Sequence, residues 1–163
     1  MITPAADNPF AVLTLIAAPA VFTNASSVLA LGTGNRLARV VDRARVLSKG
    51  LHAEPPEDKA MAEMWMRHVD RLGKRGELLV RAMSFFYTAV GAFAAASLVS
   101  LLAALLAGSS YHMPFTVVAA ISFVVGVIGF IGLATGCSLL VRETRLALAS
   151  HSEEVRLVKS WLR

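Results

Sequence analysis

Three long stretches of this 163-residue chain hold no Asp, Glu, Lys, Arg or His: Phe10–Gly34, Ala82–Gly108 and Met113–Val141. Proton pumps and ion-coupled carriers rely on ionisable groups inside the membrane, so this absence weighs against coupled transport. Cysteine is nearly missing as well. Cys137 stands alone within the third stretch, which excludes an intrachain disulfide, and it reads as a small apolar packing residue. His52, His68, His112 and His151 are scattered without metal-ligand spacing, and His68 beside Asp70 reads as solvated or interfacial. No glycine loop follows a strand to cradle a phosphate, and no Ser/His/Asp set assembles. The sequence therefore points to no enzyme, no metal and no cofactor. Strand patterns and internal repeats are absent too. Met1–Asp7 lacks the basic start of a secretory signal, and the apolar stretch after it is too long for one. The first stretch reads as an uncleaved anchor.

What the chain does have is hydrocarbon. Hydrophobic residues make up 56% of it and its mean hydropathy is +0.62, against about 45–50% apolar in a soluble domain. A membrane-crossing helix needs roughly 20 mostly apolar residues, and lipid offers the backbone no hydrogen-bond partner. Each uncharged stretch meets that length. The expected fold is an all-α integral membrane protein in one domain. Its three transmembrane helices span about residues 10–34, 82–108 and 113–141, with a cytoplasmic helical hairpin over 35–81 and a cytoplasmic C-terminal helix over 142–163.

Charge sets the orientation. All 16 Lys and Arg residues lie in Asn35–Arg81 or Arg142–Arg163. Short loops rich in Lys and Arg stay in the cytoplasm, so the N-terminus is expected outside and both basic segments inside. The net charge of +5 thus reads as a topology signal, not as a nucleic-acid footprint.

Beyond Gly34 an apolar face continues through Leu37, Val40, Val41, Ala44, Leu47 and Leu51 at helical spacing. The first span is expected to run on as one helix, with Gly32 and Gly34 as its weak points. Ala53-Glu54-Pro55-Pro56 stops it, since proline disfavours helical geometry in the residue before it. Pro56, Glu57 and Asp58 suit the opening of a new helix. That helix carries Met61, Met64, Trp65, Val69, Leu72 and Leu79, weakens at Gly73 and Gly76, and feeds the second span. Met61, Met64, Trp65 and Met66 serve either as bundle core or as an adaptable face for a cytoplasmic or membrane protein partner. In the tail, Val141, Leu148, Val155 and Leu162 recur every seven residues.

Two sets of residues within the spans carry the argument further. Gly126, Gly129, Gly132 and Gly136, with Ser122, give the third span a small-residue face that lets a neighbouring helix approach closely. A tight antiparallel pair with the second span is expected. In the first span, Thr23, Asn24, Ser27 and Thr33 form a polar set near Pro19, whose missing N–H leaves the Leu15 carbonyl without its usual donor. Asn24 is the most polar side chain in any span. Its amide needs a partner, either a neighbouring helix or water along a path.

The segment Asn35-Arg36-Leu37-x-Arg39-x-x-Asp42-Arg43-x-Arg45 is similar to one in an uncharacterised family of small three-span bacterial membrane proteins. Leu72-Gly73-Lys74-Arg75 and Glu143-x-Arg145-Leu146-Ala147 match as well. The resemblance covers most of the chain. It implies the topology and a bacterial inner-membrane origin, and supplies no activity. Three roles are open to Arg36, Arg39, Asp42, Arg43 and Arg45: binding anionic lipid headgroups, pairing with Glu143 and with Asp70 or Glu77, or lining the inner mouth of a pore. Asp42 speaks for pairing, since a lipid-binding patch gains nothing from an acid in its middle. The functional expectation is a homo-oligomeric inner-membrane protein whose first helix lines an ion channel. The alternative is a non-catalytic scaffold or accessory subunit whose cytoplasmic bundle binds a partner.

Overall fold

The computed structural model describes the backbone of residues 9–53, 59–106 and 112–161, and the side chains of 14, 17–53, 59, 61–102 and 117–149. The Pro55-Pro56 break, the 1–8 segment, the 109–111 link and the heptad positions Val155 and Leu162 lie outside the described side chains. All described structure is helical: α1 (Pro9–Ala53), α2 (Lys59–Leu106) and α3 (His112–Trp161). Among the described residues, two segments are long and apolar enough to cross a membrane, Met61–Leu102 in α2 and Val117–Ala149 in α3.

Local chemistry explains the helix ends. Pro9 opens α1, a position where the missing N–H has no intrahelical bond to lose. Pro114 falls in the first turn of α3 for the same reason. Pro19 lies inside α1 without ending it. Gly32, Gly34, Gly73 and Gly76 also lie within unbroken helix. Two of them are spent on packing. A Cβ on Gly76 would meet Leu37 and Val40 at 4.0 Å, and one on Gly34 would meet Met83 at 3.9 Å.

Packing divides the chain into two compact units, Met1–Ala30 with Ser84–Thr135, and Leu31–Met83 with Gly136–Arg163. In the first, the buried positions of α2 are Phe86, Ala89, Phe93, Ala96 and Ser100, at steps of three and four. Facing them on α3 are Ser122, Gly129 and Gly132, all buried. The outer surface carries the large apolar side chains instead, among them Val28, Leu98, Ile121, Phe123 and Ile128. The α3 side of this interior is small and polar, the α2 side places Phe86 and Phe93 among Ala and Ser, and many large apolar side chains face outward, as suits a hydrocarbon solvent.

The second unit is built on Val40, Leu72 and Leu79, flanked by Leu37, Ala44, Leu47 and Leu140. Here the surface is charged. Arg45–Asp42, Arg67–Glu63 and Arg81–Glu77 pair along single helices with both partners mostly exposed. Exposed pairs of this kind contribute about 0–1 kcal/mol each. The apolar seam, not these pairs, holds the unit together.

Candidate functional site

Within the first unit, α2 and α3 are joined by a buried hydroxyl pair. Ser122 donates to the Ala96 carbonyl at 2.9 Å, and its oxygen lies 2.6 Å from that of Ser100. A hydroxyl has one proton, so Ser100 must be the donor to Ser122. Two turns along, Phe93 crosses Gly129: a Cβ there would sit 3.0–3.1 Å from the Phe93 ring and 3.2 Å from the Ala92 Cβ. Gly132 faces Ala89 and the Phe85 carbonyl, at 3.7 and 3.4 Å from the same imagined atom. Gly126 meets nothing within 4 Å. Gly136 is buried in the second unit. The four glycines thus have different surroundings. Phe22 of α1 stacks on Phe93 with centroids 5.2 Å apart and meets Phe130 edge-on at 6.4 Å. No periodicity in the sequence marked this aromatic cluster.

The polar set of α1 does not share one environment. Thr23 donates to the Pro19 carbonyl and Ser27 to the Thr23 carbonyl, each at 2.9 Å, so both hydroxyls bond their own helix. Thr33 is buried in the second unit, and Ser26 is buried in the first with its hydroxyl unpaired. Asn24 differs from all of them. It is exposed, and its side chain makes no hydrogen bond to any described residue.

The second unit gathers charge around Glu143, whose side chain is only 3% exposed. Arg75 of α2 directs both Nε and Nη2 at one carboxylate oxygen, at 2.9 and 2.8 Å. Arg36 of α1 approaches the other at 3.7 Å and donates to the Thr144 hydroxyl at 3.3 Å. Thr144 in turn donates to the Leu140 carbonyl. A buried carboxylate flanked by two guanidinium groups ties three helices at one point. Beside it lies a groove of about 390 Å³, reached by Arg39 and Arg43 and floored by Val40, Leu72 and Ala147.

Arg36, Arg39 and Arg43 therefore converge with Glu143. Asp42 and Arg45 do not. They pair with each other at 3.9 Å on the outer surface of α1. Arg75 was absent from the sequence-derived cluster. Its signal was its place beside Lys74, in a segment shared with the resembled family, seven residues before an uncharged stretch. Among the described residues no group of His, Cys, Asp and Glu is placed to hold a metal ion.

No curated protein and no solved structure matches the chain. Residues 16–152 match the model of a protein family of unknown function, so the chain belongs to the DUF2721 family.

Proposed function

We propose that this protein is a homo-oligomer of the bacterial inner membrane, crossing it three times with the N-terminus outside and the C-terminus in the cytoplasm. In this reading the α1 helices of neighbouring copies meet and the faces that carry Asn24 and Ser27 line an ion-conducting path. The observation that carries it is Asn24. Its amide is exposed, has no hydrogen-bond partner among the described residues, and lies beside Val21, Val28 and Leu31, which are exposed as well. Leaving an amide unpaired in hydrocarbon costs a few kcal/mol. A symmetric assembly removes that cost by placing Asn24 of each copy against its equivalents or against water. The uncharged stretch Phe10–Gly34 is long enough for α1 to cross with them. Such a path contains no carboxylate, so weak selectivity or anion preference fits better than divalent-cation selectivity.

Flux through liposomes reconstituted with wild type and Asn24→Leu tests the conducting path. We expect flux in wild type that falls at least severalfold in the variant. Cross-linking of Asn24→Cys in a Cys137→Ala background tests the assembly, with a covalent dimer expected under mild oxidation. Flux insensitive to Asn24→Leu would place the path elsewhere. Absence of flux under every voltage and tension would favour the second reading, a non-catalytic scaffold. That reading draws on Met61 and Met66, exposed on α2 of the second unit, as an adaptable surface for a protein partner.

A further inference from the structure

The groove beside Glu143 carries four guanidinium groups, from Arg36, Arg39, Arg43 and Arg75, against one carboxylate. That carboxylate is already committed. Arg75 covers one of its oxygens with a hydrogen bond from Nε at 2.9 Å and an ion-pair contact from Nη2 at 2.8 Å, and Glu143 is buried beneath it. Arg36 has only long contacts, 3.7 Å to Glu143 and 3.3 Å to Thr144, and its side chain is 48% exposed. A guanidinium offers five N–H donors in a planar fork, and these contacts leave most of them unused on Arg36. Arg39 and Arg43 rise from the same helix face, one and two turns further on, both exposed. The groove thus combines a positive rim with an apolar floor of Val40, Leu72 and Ala147.

Its position along the chain is equally specific. Arg36 lies two residues past Gly34, Glu143 two past Val141, and Arg75 seven before Ala82. Each wall of the groove is therefore within about two helical turns of the edge of an uncharged stretch. We infer that this groove binds a phosphate group, held by Arg36 and Arg39 with Arg43 at the rim, while Glu143 and Arg75 fix Arg36 in position. An anionic phospholipid headgroup and a soluble phosphate share this chemistry. The apolar floor suits the former, whose glycerol and first acyl carbons would cover it.

The full chain in nanodiscs of equal phosphatidylcholine and phosphatidylglycerol provides the test, with bound lipid read by native mass spectrometry. Wild type is expected to retain phosphatidylglycerol in preference to phosphatidylcholine. Retention should fall roughly fivefold for each guanidinium removed, in Arg39→Gln and then in Arg36→Gln/Arg39→Gln. Arg67→Gln, on the outer surface and paired with Glu63, should retain the wild-type preference. Arg39 is exposed, so its variant keeps the test valid should the double variant unfold. Titrating inorganic phosphate into protein in phosphatidylcholine nanodiscs separates the two sources. Saturable heat lost in Arg39→Gln would support the same site with a soluble ligand. Equal retention of both lipids together with no saturable phosphate binding would overturn the inference. Loss of preference in Arg67→Gln as large as in Arg39→Gln would overturn it too, as it would mean diffuse surface charge.

Discussion

Glu143 and Asp42 are both acids within basic segments, and their surroundings predict opposite behaviour. Glu143 is buried between Arg75 and Arg36, whereas the side chains of Asp42 and its partner Arg45 are each 73% exposed. Removing one partner of a buried ion pair leaves the other charge desolvated, which is strongly destabilising. Glu143→Ala should therefore cost about 2–4 kcal/mol, toward the low end because Arg75 stays partly exposed. Asp42→Ala should stay within about 0.5 kcal/mol. Thermal unfolding in detergent, followed by circular dichroism, compares them directly. Equal small effects would mean that the Glu143 cluster adds no stability. The sequence offered Glu143 as a partner for the Arg36 segment, along with Asp70 and Glu77. It could not rank them, since the choice depends on which residues of α2 and α3 share a level with Arg36. Glu77 instead pairs with Arg81 in its own helix.

At the scale of the element, the glycines of α3 show how far a pattern goes. Small residues at helical spacing mark a packing face, and Gly129 and Gly132 do meet α2. Periodicity treats Gly126 as their equal, yet nothing lies within 4 Å of its missing Cβ. The distinction arises because Phe93 lies over Gly129, an aromatic placement that no spacing rule encodes. Gly129→Ala pushes a methyl against the Phe93 ring and the Ala92 Cβ. Phe93 is itself held by stacking on Phe22, so the ring has little room to yield. We expect a loss of about 1–3 kcal/mol, the usual cost of overpacking. Gly126→Ala should be neutral or stabilising by up to about 1 kcal/mol, because alanine is the better helix former and the space is open. Melting temperatures of the two variants in one detergent decide it; a Gly129→Ala protein as stable as Gly126→Ala would show that α2 and α3 separate freely at this level. Helix continuity was more legible than contacts. Uncharged runs followed by amphipathic spacing foretold helices passing through Gly34 and Gly76, since a continuous apolar face outweighs the modest helix cost of a single glycine.

For the whole molecule, the open question is whether α1 crosses the bilayer as α2 and α3 have the length and composition to do. If α2 and α3 both cross, the chain returns to the side it came from, and the start of α2 and the end of α3 then share a compartment. Lys and Arg in 35–81 and 142–163 set that compartment as the cytoplasm under the proposed topology. The location of the N-terminus then depends on α1 only. If α1 crosses, the N-terminus is outside; if it lies along the interface, the N-terminus is cytoplasmic with everything else. The uncharged length of Phe10–Gly34 favours crossing, and so does the lack of any Lys or Arg before Arg36 that would hold the start of α1 inside. Reporter fusions after Asp7, within the 54–58 turn and at the C-terminus separate the cases. We expect an external signal from the first and cytoplasmic signals from the other two. A cytoplasmic signal from all three would reduce the protein to two crossings. Asn24 would then lie at the membrane surface, where water satisfies its amide, and the case for a path lined by α1 would fall with it.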